Sequence, residues 1–171
     1  KAGLSVTTQP VSLLLTDKNL ANYPFIYMTG PRRFALSDDE KTALREHLER
    51  GALLFADATT GQSDFDEAFR ALMAEVFPDA PLTPIPADSP VYRIAFDASR
   101  VTYTPRVREL NPNLDTLTLY GVTVNGRIAV VYSPYDVGCA LVQTPSYGSR
   151  GLVSEDAFKV AANVVLFALS F

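Results

Sequence analysis

The stretch from Ser37 to Asp57, SDDEKTALREHLERGALLFAD, constrains the fold more than any other part of the chain. Ser37 stands three residues before Glu40, the spacing of a capping box, and Asp38 and Asp39 place negative charge where a helix dipole is positive. The spacing predicts a helix over residues 38 to 50, with Ala43, Leu44 and Leu48 on its apolar stripe, His47 beside it and Gly51 as its stop. Gly51 leads directly into ALLFA, residues 52 to 56, an apolar run too short for a helix and bounded by Asp57 and Gly61. Such a run reads as a central strand, buried on both faces.

The same alternation extends to either side. PFIYM, residues 24 to 28, reads as a buried strand that stops at Thr29, Gly30 and Pro31. Ser63 is expected to cap a helix over residues 64 to 76, where Phe65, Ala68, Phe69, Leu72, Met73 and Val76 recur at helical spacing before Pro78. Strand, helix, strand, helix with short connections implies parallel pairing and right-handed crossovers. Residues 78 to 90, PDAPLTPIPADSP, hold five prolines and are expected to form a rigid surface connection with no regular element. Val91 to Phe96 reads as a short strand or turn, and residues 97 to 116 as irregular chain. Asn125 and Gly126 separate LYGVTV from RIAVVYS, a strong hairpin signal because both residues tolerate the positive φ of a type I′ turn. The second strand, residues 127 to 132, ends at Ser133. After a Gly- and Ser-rich loop at residues 144 to 151, Ser154 is expected to cap a last helix through Leu169.

Composition agrees with one α/β domain spanning residues 1 to 171. The chain is 47% apolar, which supplies a core, and carries 15 basic against 19 acidic side chains, a net charge of −4. That balance argues against a general nucleic-acid or anionic-membrane binder. Cys139 is the only cysteine, so an intramolecular disulfide and a cysteine-based zinc site are excluded. Val160 to Leu169 is about half the roughly 20 apolar residues that a membrane span needs and carries Asn163, so it reads as a buried helix. Lys1 to Val6 is too short and polar for a signal peptide.

The segments YPFIYMTG, ALSDDEKTALREHLERGALLFAD, FDEAFRALMAEVFPD, GRIAVVYSPYDVGCAL and ANVVLFAL, in this order and spacing, resemble the bacterial family called domain of unknown function 4159 over nearly the whole chain. That family is similar to the class I glutamine amidotransferase-like superfamily. The resemblance implies a flavodoxin-like three-layer sandwich within a larger envelope-associated or periplasmic protein, and together with the residue pattern the expectation is a mainly parallel sheet with a C-terminal antiparallel hairpin. Members carry a further strand and helix upstream of the equivalent of Leu4, so by this comparison the chain starts past them. Members also carry histidines where this chain has Pro31 and Ser89.

In an open α/β sheet, ligands bind outside the carboxyl ends of the parallel strands. Three loops are expected to meet there, and they supply the candidate ligand-binding residues Thr29, Arg33, Asp57, Thr59, Thr60, Tyr135 and Asp136. Asp57 either sits low in such a cleft or accepts N–H bonds from Thr59 or Thr60 in an Asx turn. An amidotransferase nucleophile would be a Cys at a strand-to-helix turn, and Asp57 to Gly61 contains none. Cys139, in VGCAL, reads as a small buried hydrophobe, and His47 as a mid-helix residue with a structural hydrogen bond. Arg32 and Arg33 are expected to face solvent or to pair with Asp38 or Asp39. Metal-ligand spacing and the phosphate-loop and dinucleotide fingerprints are all absent, so no metal and no cofactor is expected. These readings favour a non-catalytic module that binds a partner protein or small ligand at the strand-end crevice. The alternative is a hydrolase using Thr59 or Thr60 with carboxylates.

Overall fold

The computed structural model describes residues 11 to 142 and 148 to 170. Lys1 to Val6 and the first half of the expected Gly- and Ser-rich loop, residues 144 to 147, lie outside them.

The chain runs β1 (Phe25–Gly30), α1 (Asp38–Glu49), β2 (Leu53–Ala58), α2 (Ser63–Val76), β3 (Thr83–Pro84), α3 (Pro105–Leu110), β4 (Tyr120–Val124), β5 (Arg127–Ser133), α4 (Gly138–Leu141) and α5 (Ser154–Ala168). Helix α1 starts as its residues dictate. Ser37 Oγ accepts from Glu40 N, and Glu40 Oε2 in turn accepts from Ser37 N at 2.8 Å. Helices α2 and α5 begin without a side-chain cap, on Gln62 and Val153, so Ser63 and Ser154 are first helical residues and not the caps they were expected to be. Burial of their apolar faces holds both helices: Phe65, Phe69, Leu72 and Met73 in α2, and Val160, Val164 and Phe167 in α5, are all at most 5% exposed.

The sheet has the order β1-β2-β5-β4-β3. β1 pairs with β2 and β2 with β5 in parallel, while β5 with β4 and β4 with β3 are antiparallel. A mainly parallel, flavodoxin-like sheet is therefore not what forms. Among the described residues, two connections, through α1 and through α2, contain a helix that carries the backbone from one end of the sheet back to the same end. The other two pairings have a different cause. The Asn-Gly turn reverses the chain within two residues, and the proline-rich segment contributes a two-residue edge strand, where a proline is tolerated because its missing N–H faces away from the ladder. The same edge strand corrects the expectation of no regular element in residues 78 to 90. Within the region expected to be irregular, Pro105 opens the short helix α3, with Pro at the first helical position. Residues Pro90–Tyr92 form a single 3-10 turn.

The hairpin forms where the Asn-Gly signal places it. Asn125 has φ 52° and Gly126 φ 76°, and Val122 and Val124 both pack into the core beneath α1 and α2. Open space surrounds the position a Cβ at Gly126 would take. Gly126→Val should therefore lower stability by about 1–2 kcal/mol through backbone strain alone, measured by urea denaturation. An unchanged midpoint would remove the turn from the account of this hairpin.

Two apolar clusters lie on opposite faces of the sheet. One joins Leu44, Leu48, Phe65, Phe69 and Met73 of α1 and α2 to Leu54, Ala56, Val130 and Tyr132. The other joins Val160, Val164 and Phe167 of α5 to Leu53, Phe55, Val131 and Val137. The period of two along β2 thus sends Leu53, Phe55 and Asp57 to the α5 face, which places a carboxylate at the end of an otherwise apolar row.

Candidate functional site

Thr29, Asp57 and Ser133 stand level with one another across β1, β2 and β5, at the carboxyl ends of the parallel strands. Asp57 is fully buried, and among the described residues the donors its side chain meets come from elsewhere in the chain. Tyr27 Oη donates to Oδ1 at 2.6 Å, and the backbone N–H groups of Val137 and Gly138 donate to Oδ2 at 2.7 and 2.8 Å. The expected Asx turn onto Thr59 or Thr60 does not form. Asp57 instead ties the end of β2 to β1 on one side and to the start of α4 on the other.

Asp136 performs the reciprocal task. It is 1% exposed, and its carboxylate accepts from Thr60 N at 2.7 Å, Cys139 N at 2.9 Å and Ser149 Oγ at 3.0 Å. Its backbone bonds to Arg150 O and Leu152 N. Each loop therefore supplies the carboxylate that satisfies the other's backbone: Asp57 serves residues 137 and 138, and Asp136 serves residue 60. Both loops also carry a cost. Thr60 has φ 56°, rare for a residue with a Cβ, and is held there by its N–H to Asp136 and by its carbonyl, which accepts from Arg150 N at 3.0 Å.

Above this buried layer, Thr29 Oγ1 donates to the carbonyl of Asp57 at 2.9 Å and lies 2.7 Å from Thr59 Oγ1. Thr29 is exposed and Thr59 half-buried. The Tyr27 ring packs on Phe55, with centroids 5.6 Å apart, yet the residue keeps 47% of its surface exposed. Burial of its hydroxyl, followed by the charge of Asp57 and the bond to it, raises the Tyr27 pKa far above the ordinary phenol range.

Of the seven candidate residues, five meet here: Thr29, Asp57, Thr59, Thr60 and Asp136. Arg33 does not join them; it pairs with Glu67 of α2 across an exposed surface, and not with Asp38 or Asp39. Tyr135 turns into the α5-side core, with its ring 4.7 Å from that of Tyr103. Tyr27 and the N–H groups of Val137 and Gly138 belong to the cluster and escaped the sequence reading. Tyr27 was legible in principle, because it lies two residues before Thr29 and so on the same face of a strand. Backbone donors carry no sequence signal.

The nucleophile chemistry is unfavourable at each candidate. Cys139 is partly exposed, not the fully buried hydrophobe its neighbours suggested. Desolvation and then its hydrogen bond to Asp136 push its thiol up to about 11. A thiol so placed is protonated at neutral pH and weakly nucleophilic. Iodoacetamide at pH 7 should therefore modify native Cys139 at least tenfold more slowly than the same residue in urea-unfolded chain, as read by mass spectrometry. Equal rates would show an activated thiol. His47 is 3% exposed, and its Nε2 lies 2.9 Å from the carbonyl of Tyr23, at the opposite end of β1 from Thr29. Desolvation lowers its pKa. Among the described residues, no group of three His, Cys, Asp or Glu side chains converges as metal ligands. A hollow of about 200 Å³ lined by Arg45, Phe77, Asp79 and Asn125 lies at the hairpin-turn end of the sheet, away from the carboxylates.

The family model for the domain of unknown function DUF4159 matches residues 1–169, and the chain belongs to that family. No curated protein matches the chain.

Proposed function

We propose that this member of the DUF4159 family is a non-catalytic binding module, and that its strand-end surface recognises a partner protein or small ligand through Tyr27, Thr29 and Thr59. One observation carries the reading: both buried carboxylates accept hydrogen bonds from the backbone of the facing loop, leaving a braced platform of hydroxyls and one aromatic ring at the surface. A platform held by buried bonds loses little entropy when something docks on it. A hydrolase reading would need a base within reach of Thr59 or Thr60. The hydroxyl partner of Thr59 is Thr29, and that of Thr60 is the Gln62 side-chain amide, which donates to it at 3.1 Å. Kinship with class I glutamine amidotransferases is part of the same proposal, supported by the parallel β1-β2-β5 unit with helices on either face and by no shared nucleophile.

The test has two arms. A panel of ester, amide and glutamine substrates should show no turnover that Thr59→Ala or Cys139→Ala removes. A thermal-shift screen of small polar ligands, together with cross-linking of protein partners, should give contacts that centre on Tyr27 and are lost in Thr29→Arg. Turnover abolished by Thr59→Ala in a folded protein would replace this reading with the hydrolase.

A further inference from the structure

Helix α5 is apolar nearly all round, although it covers the sheet with one side only. Val160, Val164 and Phe167 are buried against the sheet. On the opposite side, Phe158, Ala162, Val165 and Leu169 follow one another at steps of four, three and four residues, which aligns them in one stripe. Phe158 is 56% exposed, Val165 39% and Leu169 52%. A surface helix ordinarily turns charged or polar residues outward here.

A second element enlarges the stripe and is fixed to it. Asn163 is fully buried. Its Oδ1 accepts from the N–H groups of Ala95 and Phe96 at 3.1 and 3.0 Å, and its Nδ2 donates to the carbonyl of Phe96 at 2.7 Å. These three bonds clamp the 95–96 segment onto α5. The Phe96 ring, itself 41% exposed, meets Phe158 edge to face with centroids 5.8 Å apart. A buried amide thus holds an aromatic pair rigid at the surface, the kind of pre-ordered anchor that carries interface energy.

We propose that this stripe is a homodimer interface, in which α5 packs antiparallel against α5 of a second copy about a two-fold axis. The spacing four, three, four reads the same from either end. A two-fold therefore sets Phe158 opposite Leu169 of the second copy and Ala162 opposite Val165, large against large and small against medium, and Ala162 lets the helices approach closely. Antiparallel packing also opposes the two helix dipoles. The flank is electrostatically quiet, because Lys159 bonds to both Glu155 and Asp156, so nothing there draws an anionic lipid surface. The stripe with Phe96 leaves on the order of 400 to 500 Å² of apolar surface per copy, as much as the largest patch on a typical monomer. With the polar rim of Glu155, Lys159 and Ser170, the pair covers roughly 1,000 Å² in total, the size at which specific interfaces begin. This surface is separate from the strand-end platform.

Sedimentation velocity over a concentration range from micromolar to sub-millimolar tests it, on wild type and two double variants. Wild type should dimerise. Phe158→Glu with Leu169→Glu places like charges opposite one another and should weaken dimerisation at least tenfold. Phe158→Lys with Leu169→Glu places opposite charges together only in the antiparallel register and should restore most of it. Both positions are more than half exposed, so all three proteins should share one circular dichroism spectrum and one melting temperature at low concentration. A wild type that stays monomeric throughout, a dimer that survives the like-charge pair, or a monomer that binds neutral lipid vesicles through the stripe would each overturn the assignment.

Discussion

Asp57→Ala should lower the melting temperature by roughly 10 °C, corresponding to a loss of about 3–4 kcal/mol in a domain of this size. The residue is fully buried, and its removal strands three donors at once: the Tyr27 hydroxyl and the backbone N–H groups of Val137 and Gly138. A buried donor left without a partner costs about 1–3 kcal/mol, against the smaller net value of a bond that water can replace. The Tyr27 hydroxyl can rotate about its C–O bond, whereas the backbone N–H groups of Val137 and Gly138 are fixed by the chain, so the two backbone donors dominate the expected loss. Asp57→Asn keeps acceptor capacity on one atom only and should fall between wild type and Ala. Tyr27→Phe removes a single bond but takes a donor from the buried Asp57 carboxylate, and should cost about 1–3 kcal/mol, less than Asp57→Ala. Melting and urea denaturation of the three variants should place Asp57→Ala as the largest loss, with Asp57→Asn and Tyr27→Phe both smaller. An Asp57→Ala protein as stable as wild type would mean that this carboxylate does not hold the loops together, and the strand-end platform would lose its physical basis.

Gly61→Val is expected to be as damaging, for a different reason. Gly61 has φ +65°, and a Cβ there would run into the carbonyl oxygen and Cβ of Arg150. That carbonyl cannot move freely, because it accepts the N–H of Asp136, while the adjoining Arg150 N donates to Thr60 O. The substitution therefore combines left-handed strain with overpacking against backbone, and a loss of at least 3 kcal/mol follows. Gly126→Val is the matched control. It carries the same sign of φ but meets open space, so the difference between the two isolates the packing contribution. If Gly61→Val and Gly126→Val cost the same, the close approach of the 59–61 turn to Arg150 contributes nothing to stability.

Local elements were legible in the sequence wherever a local cause produces them. The capping box at Ser37 and Glu40 and the Asn-Gly turn satisfy or orient backbone within four residues, and both form as read. The apolar runs of β1, β2 and β5 and the helical stripes of α1 and α2 are patterns of burial, and burial is what any compact arrangement of this chain must supply. The end of each parallel strand was equally readable, because the polar residue that closes an apolar run marks it. Hence Thr29, Asp57, Thr59, Thr60 and Asp136 stand out as a group from residue type and position alone.

Pairing direction beyond β1-β2-β5, and the use made of the candidate residues, depended on the three-dimensional arrangement. Direction follows from which face each connection crosses, and the proline-rich segment joins the sheet edge through contacts with β4 more than 35 residues away, information that no window of sequence contains. The carboxylates are decided at still longer range. Asp57 meets donors 30, 80 and 81 residues distant, and Asp136 one 76 residues away. A lone buried carboxylate in a sequence looks the same whether it faces a ligand or its own backbone. Only the packing of the 136–138 loop against the 57–60 loop, which excludes water and brings free N–H groups within bonding distance, turns these two acids into internal braces and leaves the hydroxyls of Thr29 and Thr59 and the ring of Tyr27 as the surface the protein presents.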